Sequence, residues 1–133
     1  MSTPHALIID DNASNLGVLG ELLSLEGVSF TKVQDPTKFQ SVSKTLSRVD
    51  VVFLDLEMPQ LDGYKVLELL KADSRYDNVP VVAYTVHVSE INVARDMGFH
   101  SFLGKPLDAE RFPDQLARIL RGEPVWGISS RLA

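Results

Sequence analysis

The 133-residue sequence contains no cysteine. Disulfides, thiolate catalysis and Cys-ligated zinc are thereby excluded, while almost nothing follows about compartment. Positive charge is in deficit: 13 Lys and Arg stand against 18 Asp and Glu, for a net charge of -5. A surface of that sign repels nucleic acid and anionic membrane, so neither is expected as a direct partner, and any acidic cluster is better suited to hold a cation. No apolar run approaches the roughly 20 residues needed to span a bilayer, and no basic-then-apolar leader opens the chain. Internal repeats and low-complexity segments are also lacking. A cytoplasmic protein of one compact domain is the expectation, since 44% hydrophobic content at this length fills one core and leaves little for a second.

What is present is organised around Val51-Val52-Phe53-Leu54-Asp55-Leu56-Glu57-Met58-Pro59. Four consecutive apolar residues are too few for a helix and lack alternation, so they predict a strand buried on both faces. The run ends on Asp55, and Pro59 forbids continued ladder pairing. A carboxylate at the carboxyl end of a central parallel strand lies where open α/β sheets carry out their chemistry.

Ala6-Leu7-Ile8-Ile9 is a second such run and also ends in acid, at Asp10-Asp11, with Asn12 as an N-cap. Leu16, Leu19, Leu22, Leu23 and Glu26 follow helical spacing up to Gly27, a left-handed C-cap residue. Val28 to Val33 alternates and is expected at a sheet edge; Asp35-Pro36 restarts a helix with a thin apolar face of Phe39, Val42 and Leu46. Asp62 caps a helix carrying Val66, Leu67, Leu69 and Leu70. Val81 to Tyr84 is a third buried run, ending on Thr85. A helix from about Ser89 to Met97 stops at Gly98, Ser101 to Gly104 forms a short strand before Lys105-Pro106, and a last helix runs regularly from Pro113 to about Arg121. Gly122-Glu123-Pro124 is expected to end regular structure, leaving a short tail that contains Trp126. Five strands alternating with five helices predict an α/β fold with a doubly wound parallel sheet. Right-handed crossovers gather Asp10, Asp11, Asp55, Thr85 and Lys105 at one edge.

Taken together, the Asp10-Asp11 pair, Asp55 with Glu57-Met58-Pro59 and Asp62-Gly63 behind it, Thr85 and Lys105-Pro106 resemble the receiver domain of two-component response regulators. The resemblance covers residues 4 to 121. It implies a flavodoxin-like sheet of order 2-1-3-4-5, the order that a chemotaxis receiver adopts. It further implies that Asp55 accepts a phosphoryl group from a sensor histidine kinase or phosphotransfer protein. Asp11, Asp55 and the Glu57 carbonyl would ligate Mg²⁺, and Asp10 would act mostly through a water. Lys105 and Thr85 would contact the phosphoryl oxygens. Phe102 would be a switch aromatic that turns inward as Thr85 moves, and Lys105-Pro106 a cis peptide. Such a domain is a signalling switch rather than an enzyme, with an unnamed output protein and a homodimer on phosphorylation as possible readouts. Residues 1–122 would form the receiver and 123–133 a tail without an output domain.

Plainer readings exist for each residue. Asp10 and Asp11 alone are more often a capping pair, Thr85 a β-branched strand end, Lys105 a solvated charge, and Phe102 ordinary core. His5 and His100 are expected at the surface, and His87 either lines the site mouth or is an exposed loop residue. Val86, where a smaller residue usually follows the Thr, would narrow access to Asp55; Glu57 with His87 would tune acyl phosphate lifetime. The main alternative function is a phosphorylation-independent, receiver-like binding module. A phosphohydrolase would want an acid pair that Asp55-Leu56-Glu57 meets only with Glu57, and no Ser/Thr/Gly-rich phosphate loop follows the first strand as in a flavodoxin-like cofactor binder.

Overall fold

The computed structural model describes residues 3–58 and 62–127. Strands β1 (His5–Ile9), β2 (Ser29–Val33), β3 (Val51–Asp55), β4 (Val81–Thr85), β5 (Ser101–Gly104) and β6 (Trp126–Gly127) form one parallel sheet. Their order is β2-β1-β3-β4-β5-β6. The first five follow the expected order, and β2 is the expected edge. The sixth is an addition: regular structure does not end at Gly122-Glu123-Pro124, because the chain turns back and pairs with β5. Pro59 and the tail beyond Gly127, with Arg131-Leu132-Ala133, lie outside the described residues.

The helices are α1 (Ala13–Leu25), α2 (Phe39–Ser43), α3 (Gly63–Lys71), α4 (Ile91–Met97) and α5 (Phe112–Leu120). None of them is long and apolar enough to cross a membrane. Asn12 caps α1 by accepting the Asn15 N–H at 3.0 Å, and Asp62 caps α3 by accepting the Tyr64 N–H at 2.9 Å. Gly98 ends α4 at φ 104°, a left-handed conformation that disfavours any side chain. Two helix starts differ from expectation. Pro36–Lys38 and Val88–Glu90 are single 3₁₀ turns, so α2 shrinks to five residues and α4 begins at Ile91 rather than near Ser89. Asp35 caps the first of these turns by accepting the Thr37 N–H at 3.0 Å, whereas Val88–Glu90 has no side-chain cap, and uncapped N–H groups favour a tightened turn.

Alternation along the strands divides the core into two layers. Leu7, Ile9, Val52, Leu54, Ala83 and Phe102 pack with Val66, Leu67 and Leu70 of α3. Ala6, Ile8, Val51, Phe53, Val82 and Tyr84 pack with Leu16 and Leu19 of α1 and Phe112 and Leu116 of α5. The apolar bodies of β1 and β3 are fully buried. At roughly 1.5–3 kcal/mol per large side chain, this double-sided burial fixes where each strand must stop. His5 and His100, expected at the surface, are instead half-buried. His5 bridges Ser29 and Thr31 across β2 at 2.7 Å each, and His100 bonds Ser101 Oγ at 2.8 Å and the Gly122 carbonyl at 3.1 Å.

Candidate functional site

Asp10 leaves β1 with its N–H held by the Val33 carbonyl at 3.1 Å, and Asp55 is the last residue of β3. Because both strand bodies are pinned by burial, both carboxylates are delivered to the same end of the sheet and are themselves buried. Each also closes a local turn. Asp10 Oδ1 accepts the Asn12 N–H at 2.9 Å, and Asp55 Oδ1 accepts the Glu57 N–H at 3.0 Å. Asp11 is half-exposed beside them. The three can each offer an oxygen such that all lie within 4.8 Å of one another.

Lys105 is the cation that answers this cluster. Its side chain is 9% exposed, and Nζ lies 3.2 Å from Asp55 Oδ1 and 3.4 Å from Asp10 Oδ2. Its N–H donates to the Thr85 carbonyl at 2.9 Å, so the end of β4 fixes the root of the side chain. The Lys105-Pro106 bond is cis, as the resemblance implied. One ammonium cannot neutralise three carboxylates. Burial first, and then the neighbouring Asp10 charge, raise the Asp55 pKa to about 6, against the opposing pull of the Glu57 N–H and Lys105. A hard, oxygen-ligated divalent cation fits such a donor set.

Thr85 is buried, and its Oγ1 accepts the His87 N–H at 3.0 Å. Register pairs Asp55 with Tyr84 and Thr85 with Gly104, so Thr85 stands one position beyond Asp55 along the sheet. Glu57 and His87 meet across the mouth, Oε2 to Nε2 at 2.7 Å. The carboxylate oxygen in that contact is buried and makes no aligned hydrogen bond among the described residues. Val86 is exposed in the same loop. Phe102 is not gathered into the carboxylate cluster. It pairs with Ala83 on the face that Thr85 shares by alternation, and its ring is already fully buried rather than waiting outside.

Sequence reasoning missed Tyr84. Its hydroxyl donates to Asp10 Oδ2 at 2.6 Å, and Lys105 Nζ sits 4.4 Å from the centre of its ring. Burial and the Asp10 charge push the phenol pKa far up, so it remains a donor. The available signal was a phenol inside an apolar run, which needs a partner when buried.

The chain matches the response regulator receiver domain family over residues 6–117. It is 31% identical over 129 residues to the signal transduction histidine-protein kinase BarA of Escherichia coli, covering 95% of this chain and 14% of that protein. It is 33% identical over 117 residues to an uncharacterized response regulatory protein of Vibrio cholerae, covering 87% of this chain and 48% of that one. The chain therefore spans less than half of either relative. The solved structure of the chemotaxis response regulator CheY4 of Vibrio cholerae superposes with a TM-score of 0.79 at 22% identity, over 89% of this chain and 99% of that one.

Proposed function

The chain belongs to the response regulator receiver domain family of two-component signalling, and from that premise we propose that it is a phosphoryl-accepting switch with Asp55 as the acceptor. The observation that carries this reading is the Asp55 carboxylate, buried at a strand end and flanked by Lys105 Nζ at 3.2 Å and by two further carboxylates within ligand reach. Asp11, Asp55 and the Glu57 carbonyl would hold Mg²⁺, with Asp10 contributing through a water. Bound there, Mg²⁺ supplies neutralisation of carboxylate and phosphoryl charge.

The donor is a phosphohistidine on a sensor kinase or phosphotransfer protein. An Asp55 oxygen attacks phosphorus, forming the O–P bond of an acyl phosphate while the P–N bond breaks and its electron pair returns to the donor imidazole. Lys105 stabilises charge on the transferring oxygens from a position already held by the Thr85 carbonyl, so little reorganisation is needed. Tyr84 fixes the Asp10 carboxylate by donating to it. The product adds a dianionic acceptor group, to which the Thr85 hydroxyl donates. That movement alters packing on the face shared with Phe102, and the surface around β5 conveys the change to an output protein or a second copy. Glu57 and His87 stand over the mouth and govern what reaches Asp55.

The test is intact mass after incubation with Mg²⁺ and a small-molecule phosphodonor, with Asp55→Asn as control. One added phosphate on the parent chain alone, labile as an acyl phosphate, is expected. No adduct on a chain that still binds Mg²⁺ would favour the phosphorylation-independent binding module.

A further inference from the structure

Asp10, Asp55, Tyr84 and Lys105 stand at or beside the ends of four neighbouring strands, β1, β3, β4 and β5. Register pairs Tyr84 with Asp55, yet the Tyr84 hydroxyl reaches past β3 to donate to Asp10 Oδ2 at 2.6 Å. Lys105 comes from the other side. Its Nζ lies 4.4 Å from the centre of the Tyr84 ring, 3.2 Å from Asp55 Oδ1 and 3.4 Å from Asp10 Oδ2. Tyr84 thus touches both members of the Lys105–Asp10 pair.

Asp10 is fully buried, and an ammonium is drawn strongly to a carboxylate where water is excluded. Unopposed, Lys105 and Asp10 would close to a short pair at the expense of Asp55. Tyr84 opposes this twice. Its hydroxyl holds Oδ2 by the shorter bond and leaves Lys105 the longer one, while its ring face attracts the ammonium from the β4 side. Transfer adds a second demand, because Lys105 must shift toward the arriving phosphoryl oxygens. A buried oxygen that loses its last partner costs its full desolvation penalty. With Tyr84 in place, Oδ2 keeps a donor as Lys105 leaves, and Oδ1 keeps the Asn12 N–H at 2.9 Å.

We propose that Tyr84 is a positioning residue for phosphoryl transfer: its hydroxyl and ring hold the Lys105 ammonium beside Asp55 and leave Asp10 satisfied when that ammonium moves to the phosphoryl oxygens. The role rests on the reading of Asp55 as acceptor. A phenol that only fills the core would alter the rate through the fold, and would do so whether or not Lys105 is present.

The test is a mutant cycle on the full chain. The rate of phosphate uptake from a small-molecule phosphodonor is read by intact mass at saturating Mg²⁺ for the parent, Tyr84→Phe, Lys105→Gln and the double variant. Tyr84→Phe should be at least about threefold slower than the parent, and the same change on Lys105→Gln should leave the rate unaltered. A folded Tyr84→Phe that keeps pace with the parent, or equal slowing in both backgrounds, would overturn the role of Tyr84. A parent that takes no phosphate removes the acceptor reading itself, and this inference with it. Should Tyr84→Phe fail to fold, or Lys105→Gln take no phosphate, proton NMR of the parent decides. The Tyr84 hydroxyl proton should persist before and after phosphorylation, with the Lys105 ε-methylene protons displaced upfield by the ring. Loss of the hydroxyl signal on phosphorylation, or methylene protons at their ordinary position, sinks the proposal.

Discussion

The bodies of β1 and β3 and the residues that immediately follow them obey opposite rules. Ala6 to Ile9 and Val51 to Leu54 are apolar and packed on both sides, while Asp10 and Asp55, one step further along each strand, are buried carboxylates. Burial stabilises the first group and works against the second. The difference shows why charge is concentrated at this end of the sheet. The strand bodies are rigid enough to hold like charges together at a distance they would not choose, and Lys105 and Tyr84 offset only part of the resulting repulsion.

The sharpest way to break the contrast is to weaken a strand body. Phe53 is fully buried and stacks 6.2 Å from Phe112. Phe53→Ala should cost about 3–5 kcal/mol of unfolding free energy, read from urea denaturation. Changing the strand end should do the reverse. The Asp55 pKa is raised from 3.8 to about 6, so between these values the folded state binds more protons than the unfolded chain. Stability from this group is therefore complete below about pH 4, falls as pH rises towards 6, and stays low above it. The loss at neutral pH is on the order of 3 kcal/mol at most. In Mg²⁺-free buffer at pH 7, Asp55→Asn should thus be more stable than the parent, and the gap should close as pH approaches 4 or as Mg²⁺ is added. An Asn variant less stable than the parent at pH 7 would refute the electrostatic account.

The same contrast explains what the sequence disclosed. Apolar runs ending abruptly in Asp10, Asp55 and Thr85 read plainly as buried parallel strands and led to the acidic edge, whereas the sheet order came through the family resemblance. The cis bond before Pro106 and the inward aim of Lys105 came only through the family resemblance, because an isolated Lys-Pro pair carries neither. Tyr84 stayed hidden because alternation along the strand places its ring in the core whichever way the hydroxyl points. β6 escaped since Val125-Trp126-Gly127 is too short for any periodicity, and its partner β5 lies far back in the chain, in the register of Phe102 with Trp126. The 3₁₀ entry to α4 depends on absent caps, which are weak signals in sequence.

Tyr84→Phe offers a finer cut at the strand ends, since it keeps the ring in the core and removes the donor to Asp10 Oδ2. Asp10 Oδ2 then keeps only the longer contact from Lys105 Nζ at 3.4 Å, and loss of the phenol donor should cost about 1–3 kcal/mol. Mg²⁺ should recover part of that loss, because a cation can take over the orphaned lone pair. Equal losses with and without Mg²⁺ would mean that the hydroxyl serves packing rather than the cluster.

The smallest effect on stability is expected at the mouth, where Glu57 and His87 meet with side-chain exposures of 28% and 63%. A contact between side chains this exposed contributes about 0–1 kcal/mol, so Glu57→Gln, His87→Ala and the double variant should denature almost with the parent. Their effect belongs to the chemistry. Glu57 follows Asp55 by two residues and is joined to His87, so on the proposed phosphoryl-accepting reading the pair would hinder the approach of water to the acyl phosphate. Removing the fence should speed hydrolysis several-fold, measured as loss of the added phosphate mass with time. If the two side chains act as one barrier, either single variant should give most of the double variant's gain, a non-additivity that a mutant cycle detects. Unchanged hydrolysis in all three would detach the mouth from the reactive strand ends and leave access to Asp55 governed by the loop backbone alone.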